Sequence, residues 1–146
     1  MTFHPALAPF VPRRTEREGQ VHLWDLVRRK WVVAQPEEEV RQRLLHYLIE
    51  TRGIARALIG VEKEIQYHDL RKRFDVVVFD AQAQPLILVE CKAPEVALSQ
   101  AALQQIARYN AVIQAHHLLL TNGLQLLFFS RGADGRYAYQ PDGWWS

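Results

Sequence analysis

Apolar residues recur along this chain with two different periods, and the changes of period mark its elements. Val40, Leu44, Leu45, Leu48 and Ile49 fall at helical spacing behind Pro36-Glu37-Glu38-Glu39. A proline and acidic side chains suit a helix's first turn, and Gly53 supplies a stop. Helical spacing returns from about Leu98 to Gln114. Between these stretches lie three strand-like runs, Ile59 to His68, Phe74 to Phe79 and Leu86 to Lys92, the last two joined by Asp80-Ala81-Gln82-Ala83-Gln84-Pro85. Those two runs are apolar at consecutive rather than alternate positions, which predicts strands covered on both faces in the middle of a sheet. His117 to Thr121 and Gln125 to Phe129 read as two further strands around an Asn122-Gly123 turn. Near the start, Val21-His22-Leu23-Trp24 and Lys30-Trp31-Val32-Val33 predict two short strands joined by a turn. The order helix, three strands, helix, two strands predicts an α/β fold, a central mixed β-sheet flanked by helices. Residues 1–19 carry Pro5, Pro9, Pro12 and a charged stretch, and predict a flexible arm before a single domain over 20–146.

Composition narrows the classes. A chain of 146 residues, 49% of them hydrophobic, can build one core without staples. Its one cysteine, Cys91, excludes an intramolecular disulfide and a thiolate metal cluster. No apolar run approaches the roughly 18 residues that a membrane-spanning helix needs, and no secretory leader is evident, so a cytoplasmic protein with no membrane partner is expected. A net charge of +2 is too small to argue for nucleic acid by itself. The six histidines form no helical i, i+4 pair, which disfavours zinc, and the chain has neither a Walker-type loop nor a Gly-x-Ser-x-Gly.

The run from Phe74 to Lys92 carries the chemistry. A hairpin folded symmetrically about Ala81 to Gln84 sets Phe79 opposite Leu86, Val77 opposite Leu88 and Asp75 opposite Glu90. Opposed residues share a face about 4.5–5.5 Å apart, and alternation puts Lys92 on that face with Cys91 turned away. Like charges so placed are destabilising unless a cation neutralises them. Mg²⁺ suits two carboxylates, and would polarise a phosphoryl oxygen and acidify bound water, with Mn²⁺ as a substitute. Lys92 would orient or help deprotonate that water, or stabilise the growing phosphorane charge. The plainer alternative is a strand-end ion pair of Lys92 with Glu90 or Asp75.

On the second helix, Leu98, Ala102, Gln105, Tyr109 and Val112 share one face, which sets Gln105 among apolar neighbours with Tyr109 a turn away. Gln105 either reaches the carboxylates, their water or a phosphate, or is a core amide satisfied by backbone groups. Arg71, Lys72 and Arg73 precede Asp75, Lys63 lies on the neighbouring strand, and Arg41 and Arg43 fall on the first helix. Arg41, Lys63, Arg71, Lys72 and Arg73 are candidates for contacting a phosphate backbone, the alternative for the basic run being a solvated turn. The Trp144-Trp145 end and the hydrophobic edge after Asn122-Gly123 suggest either a partner or homodimer surface or core packing.

Asp75, Glu90-Cys91-Lys92 and Gln105-x-x-x-Tyr109 together resemble the PD-(D/E)XK nuclease superfamily. More narrowly, Pro36-Glu37-Glu38-x-Val40-Arg41-Gln42, Arg73-x-Asp75, Leu88 to Pro94, Gln105 to Asn110 and Thr121-Asn122-Gly123 resemble the N-terminal nuclease domain of type I restriction enzyme R subunits and its small stand-alone relatives. The resemblance covers about Val21 to Phe129. It implies a restriction-endonuclease-like core and Mg²⁺ held by Asp75, Glu90 and the Cys91 carbonyl. It further implies that Lys92 assists the water and that Gln105 and Tyr109 support the site. An acidic residue of the first helix, Glu38 or Glu37, would complete the metal site. The residue before the first aspartate is Phe74 where the family usually has proline, and the chain shows no motor or DNA-specificity domain. A metal-dependent DNA endonuclease is expected, with a separate motor or specificity protein as partner. The alternative is a nucleic-acid-binding or protein-interaction module that keeps the fold and does not cut.

Overall fold

The computed structural model describes residues 2–141, so Trp144 and Trp145 lie outside the described residues. Three short strands open the chain: β1 (Arg14–Arg17), β2 (Gln20–Asp25) and β3 (Lys30–Val33). They form a small antiparallel sheet of their own, in the order β1-β2-β3. Helix α1 (Pro36–His46) follows and widens into a π-helical turn at Tyr47–Thr51. Then come β4 (Ile59–Tyr67), β5 (Leu70–Phe79), β6 (Pro85–Cys91), α2 (Gln100–Ile113), β7 (His117–Thr121), β8 (Leu126–Arg131) and β9 (Tyr137–Tyr139). These six strands make one mixed sheet in the order β4-β5-β6-β7-β8-β9. All neighbours are antiparallel except β6 and β7, whose parallel pairing requires the crossover that α2 provides. This is the α/β architecture of a restriction-endonuclease-like core.

The two helices explain why β5 and β6 are apolar at consecutive positions. Val40, Leu44, Leu45 and Leu48 from the first helical segment pack with Val76, Val78, Ile87, Val89 and Cys91 on one face. Ile106 of α2 packs with Phe74, Val77, Leu88 and Leu118 on the other. Both faces of the central strands are therefore dry, as the pattern predicts. Ser99 caps α2 by accepting the Ala102 N–H at 3.1 Å, and Gln114 ends it in the left-handed conformation.

Several expectations change. Residues 2–19 are not a loosely draped arm: Leu7 is fully buried in the core beside Val40, and Arg14–Arg17 is a strand. The reason lies in Phe3, Leu7 and Phe10, apolar anchors spaced among the prolines, with the His4 N–H donating to the Gly123 carbonyl at 2.8 Å. Gly123 has φ +86°, and a Cβ there would meet Phe3 at 3.0 Å, so the turn itself holds the N-terminal segment down. Arg71, Lys72 and Arg73 belong to strand β5 and not to a turn. The stretch after Asn122-Gly123 is not an open edge, because β9 pairs along β8. No helix among the described residues is long and apolar enough to cross a membrane.

Candidate active site

Strands β5 and β6 pair in the expected register, Val77 opposite Leu88, flanked by Val76 opposite Val89 and Val78 opposite Ile87. At the turn a bulge intervenes, and Phe79 faces Pro85 instead of Leu86. At the other end the ladder stops before Asp75. Phe74 and Val77 both pack toward α2 while Val76 packs toward α1, so strict alternation is broken at this point of β5. Across the sheet, Glu62 of β4 adopts φ 52° and also drops out of the β4–β5 ladder. The irregularity turns the Asp75 carboxylate toward the end of β6, where its Oδ2 accepts the Cys91 N–H at 2.7 Å. The two carboxyls thus meet, though not as the ladder pair the sequence predicts.

Glu90 itself follows the regular alternation of β6. It faces α2 in a small cleft with Lys72, Lys92, Gln105, Ile106 and Tyr109. The main chain fixes Lys92, whose N–H donates to the Thr121 carbonyl at 2.8 Å and extends the parallel ladder by one residue. Lys72 is a neighbour the sequence pattern did not place here. Its Nζ lies 3.7 Å from Glu90 Oε1 and 5.5 Å from the ring centres of both Phe74 and Tyr109. The break in alternation is what brings Lys72 and Phe74 to this side. Gln105 is exposed at the rim of the cleft and is not a core amide, because the buried stripe of α2 runs through Ile106 and Asn110. Tyr109 is half-buried and meets Phe74 edge-on.

The electrostatics are those of a crowded acidic centre. Burial first, and then the negative charge of Asp75, push the Glu90 carboxyl up to about 7, against the opposing pull of Lys72 and Lys92. Glu90 Oε1 is buried and accepts no hydrogen bond among the described residues. A buried acceptor in that condition is costly, and a hard cation between it and Asp75 would relieve both the missing partner and the repulsion. Mg²⁺ commonly uses one or two carboxylates and keeps several waters. The pair present therefore fits such an ion. Among the described residues no three His, Cys, Asp or Glu side chains converge as a ligand cluster.

Glu37 and Glu38 separate clearly. Glu37 is exposed, whereas Glu38 is 7% exposed and turned inward. Arg41 grips Glu38 with two hydrogen bonds of 2.8 and 2.5 Å, and its Nη1 stands 3.6 Å from Asp75 Oδ1. Burial opposes the Arg41 charge, but Glu38 and Asp75 more than offset it and hold the guanidinium firmly protonated. Arg41, expected on a DNA-facing surface, is in fact 8% exposed and faces the carboxylates. Its spacing of three residues from Glu38 was the available signal, since such pairs meet on one helix face. A second inward cation went unnoticed in the sequence: Arg28, at the tip of the β2–β3 turn, bonds Asp25 at 2.7 Å and Glu62 at 2.9 Å. Lys63 and Arg73 are exposed, and exposed Arg71 pairs with Glu64 at 2.8 Å.

A mixed sheet between two helices, with Glu90, Lys72 and Lys92 in a cleft under α2 and Asp75 beside them at the end of β6, defines a restriction-endonuclease-like domain. Residues 36–141 match the family described as the Type I restriction enzyme R protein N terminus (HSDR_N), and the chain belongs to that family. No curated protein matches it.

Proposed function

We propose that this chain is a divalent-metal-dependent DNA endonuclease domain, acting on phosphodiesters. The observation that carries the reading is Glu90: a buried carboxylate beside a second one, with one oxygen that accepts no hydrogen bond among the described residues and two lysines in the same cleft. Asp75, Glu90 and the Cys91 carbonyl would hold Mg²⁺ or Mn²⁺. Once bound, the ion would polarise a phosphoryl oxygen and make water more acidic.

The protein's own groups do the rest. Lys92, fixed through its backbone to Thr121, presents an ammonium to the attacking water or to a non-bridging phosphoryl oxygen. Lys72 supplies a second positive charge beside Glu90. Gln105 and Tyr109 border the space in which a phosphate would sit. Water adds its oxygen to phosphorus and gives up a proton to solvent, the opposite phosphorus–oxygen bond breaks, and the departing sugar oxygen takes a proton from solvent and leaves as a hydroxyl. Lys63, Arg71 and Arg73 offer exposed charge for the flanking backbone. Family membership supports this reading, with DNA and a separate motor or specificity protein as partners.

Arg41 favours a second reading, a DNA-binding module that does not cut, because its guanidinium already supplies a cation to Glu38 and Asp75. Purified protein incubated with linear, nicked and single-stranded DNA and Mg²⁺ or Mn²⁺ separates the two. Cleavage that Asp75→Ala abolishes and Lys92→Ala lowers by roughly 10²–10³ supports the endonuclease. Salt-sensitive DNA binding without cleavage on any substrate supports the module. Equal cleavage by all three proteins would remove support from both.

A further inference from the structure

The β1–β3 sheet precedes residues 36–141, the stretch matched by the family, and its two faces differ sharply. Leu23 and Asp25 of β2 are fully buried, and Arg14 of β1 reaches Glu39 on α1, so these residues mark the inward face. The alternate positions point outward, and there Trp24 and Trp31 are direct partners in the β2–β3 register. Their rings meet edge-on with centres 5.1 Å apart. The Arg13 guanidinium lies over both indoles, at 5.4 and 5.5 Å, and that of Arg17 lies 5.9 Å over Trp31. Both arginines are exposed, and neither forms an ion pair among the described residues. Alternation leaves no carboxylate on the outward strand positions.

The two indoles are half-buried on the outward face of a small sheet and belong to neither cluster that packs the main sheet. With two unpaired guanidinia stacked on them, they form planar surfaces set among fixed positive charges. That combination suits a single-stranded nucleic acid, whose bases stack on indole or guanidinium planes while its phosphates meet the cations. A duplex would offer the phosphates and keep its bases stacked inside. Arg28, at the tip of the same β2–β3 hairpin, bonds Glu62 at 2.9 Å, and Glu62 stands beside Asp75 across the β4–β5 ribbon. The sheet therefore borders the carboxylate site.

We propose that the outward face of the β1–β3 sheet binds single-stranded DNA, with Arg13 and Arg17 on its phosphates and the Trp24–Trp31 pair on its bases. The choice of DNA rests on the nuclease reading of the neighbouring site, and the face would hold an unpaired strand next to it.

Binding of labelled oligothymidylate, followed by anisotropy in EDTA across a salt series, tests this with the full chain. Arg13→Ala/Arg17→Ala should weaken binding and reduce the salt slope by about 1.4, at about 0.7 per lost phosphate contact. Trp31→Ala should weaken it by roughly 5- to 150-fold, with Trp31→Phe nearly restoring it and a thermal melt confirming that each variant folds. Unchanged affinity and slope in the double-arginine variant would overturn the proposal. So would equal competition by polyglutamate, which would mark an acidic protein partner, or by matched RNA at unaltered Trp31 dependence. Asp75→Ala keeps the two readings apart, because it should stop cleavage and leave this binding intact. A wild-type protein that cuts nothing but loses oligothymidylate binding on the arginine substitutions supports the face and removes the nuclease reading. One that cuts and binds through neither arginine does the reverse.

Discussion

Replacing Glu90 with glutamine should make the metal-free protein more stable at alkaline pH, even though it removes a residue placed at the centre of the site. The side chain is 18% exposed, and its carboxyl is raised from about 4.5 to about 7 by burial first and by Asp75 second. A carboxyl whose folded pKa lies above its unfolded value holds its proton more tightly in the native state. Its contribution is complete below the unfolded pKa and is lost as pH rises through the folded one. At about 1.36 kcal/mol per unit the whole loss is about 3 kcal/mol, most of it falling between pH 5 and 8. Glutamine keeps the shape and cannot ionise, so it escapes the loss. Urea unfolding in EDTA should therefore show the Glu90→Gln advantage growing by about 2–3 kcal/mol from pH 5 to pH 8, or roughly 5–10 °C in melting temperature. Added Mg²⁺ should reverse the order, since an ion that binds only the native wild type stabilises it by about 2.7 kcal/mol at a hundred times its dissociation constant. Parallel pH profiles for the two proteins would refute the reasoning, because they would mean that Glu90 ionises as freely in the native state as in the unfolded chain.

Three further outcomes follow from the packing. Arg41→Met leaves Glu38 and Asp75 without their shared cation, and should cost about 3–5 kcal/mol in urea unfolding at neutral pH. Leu7→Ala should cost about 2–5 kcal/mol because Leu7 is fully buried, whereas a residue on a mobile arm would change stability by no more than about 0.5 kcal/mol. Gly123→Ala places a methyl 3.0 Å from Phe3 and 3.1 Å from Val40 at φ +86°, and should lower the chemical-denaturation midpoint by an amount worth about 1–3 kcal/mol.

The β5–β6 hairpin was legible because burial on both faces leaves a signature that one-sided strands lack, and three consecutive pairs stand in the register that symmetry predicts. The break at Asp75 was not legible. It depends on Glu62 across the sheet taking a positive φ, which no glycine announces. That break gathers Lys72 into the site and lets Asp75 reach the Cys91 N–H. On α2 the alanines make several faces look alike, so the spacing alone favours a stripe through Ala102, Gln105 and Tyr109. Contact with Phe74, Leu88 and Leu118 selects Leu103, Ile106, Tyr109 and Ile113 and leaves Gln105 exposed. The inward turn of Glu38 and Arg41 follows the helix period, but nothing local says which acidic residue of the triplet meets the sheet. Charged β1 and three-residue β9 carry too little apolar pattern to register as strands; pairing with β2 and β8 makes them so.

The central claim is that Asp75 and Glu90 share one divalent ion. Anomalous scattering from a crystal soaked in Mn²⁺ at pH 8 addresses it most directly. The account predicts a single strong peak about 2.0–2.3 Å from one oxygen of each carboxylate and from the Cys91 carbonyl, absent in Glu90→Gln. A peak elsewhere, or no peak with Arg41 still facing Asp75 and the Glu90 oxygen still without a hydrogen bond, would contradict it.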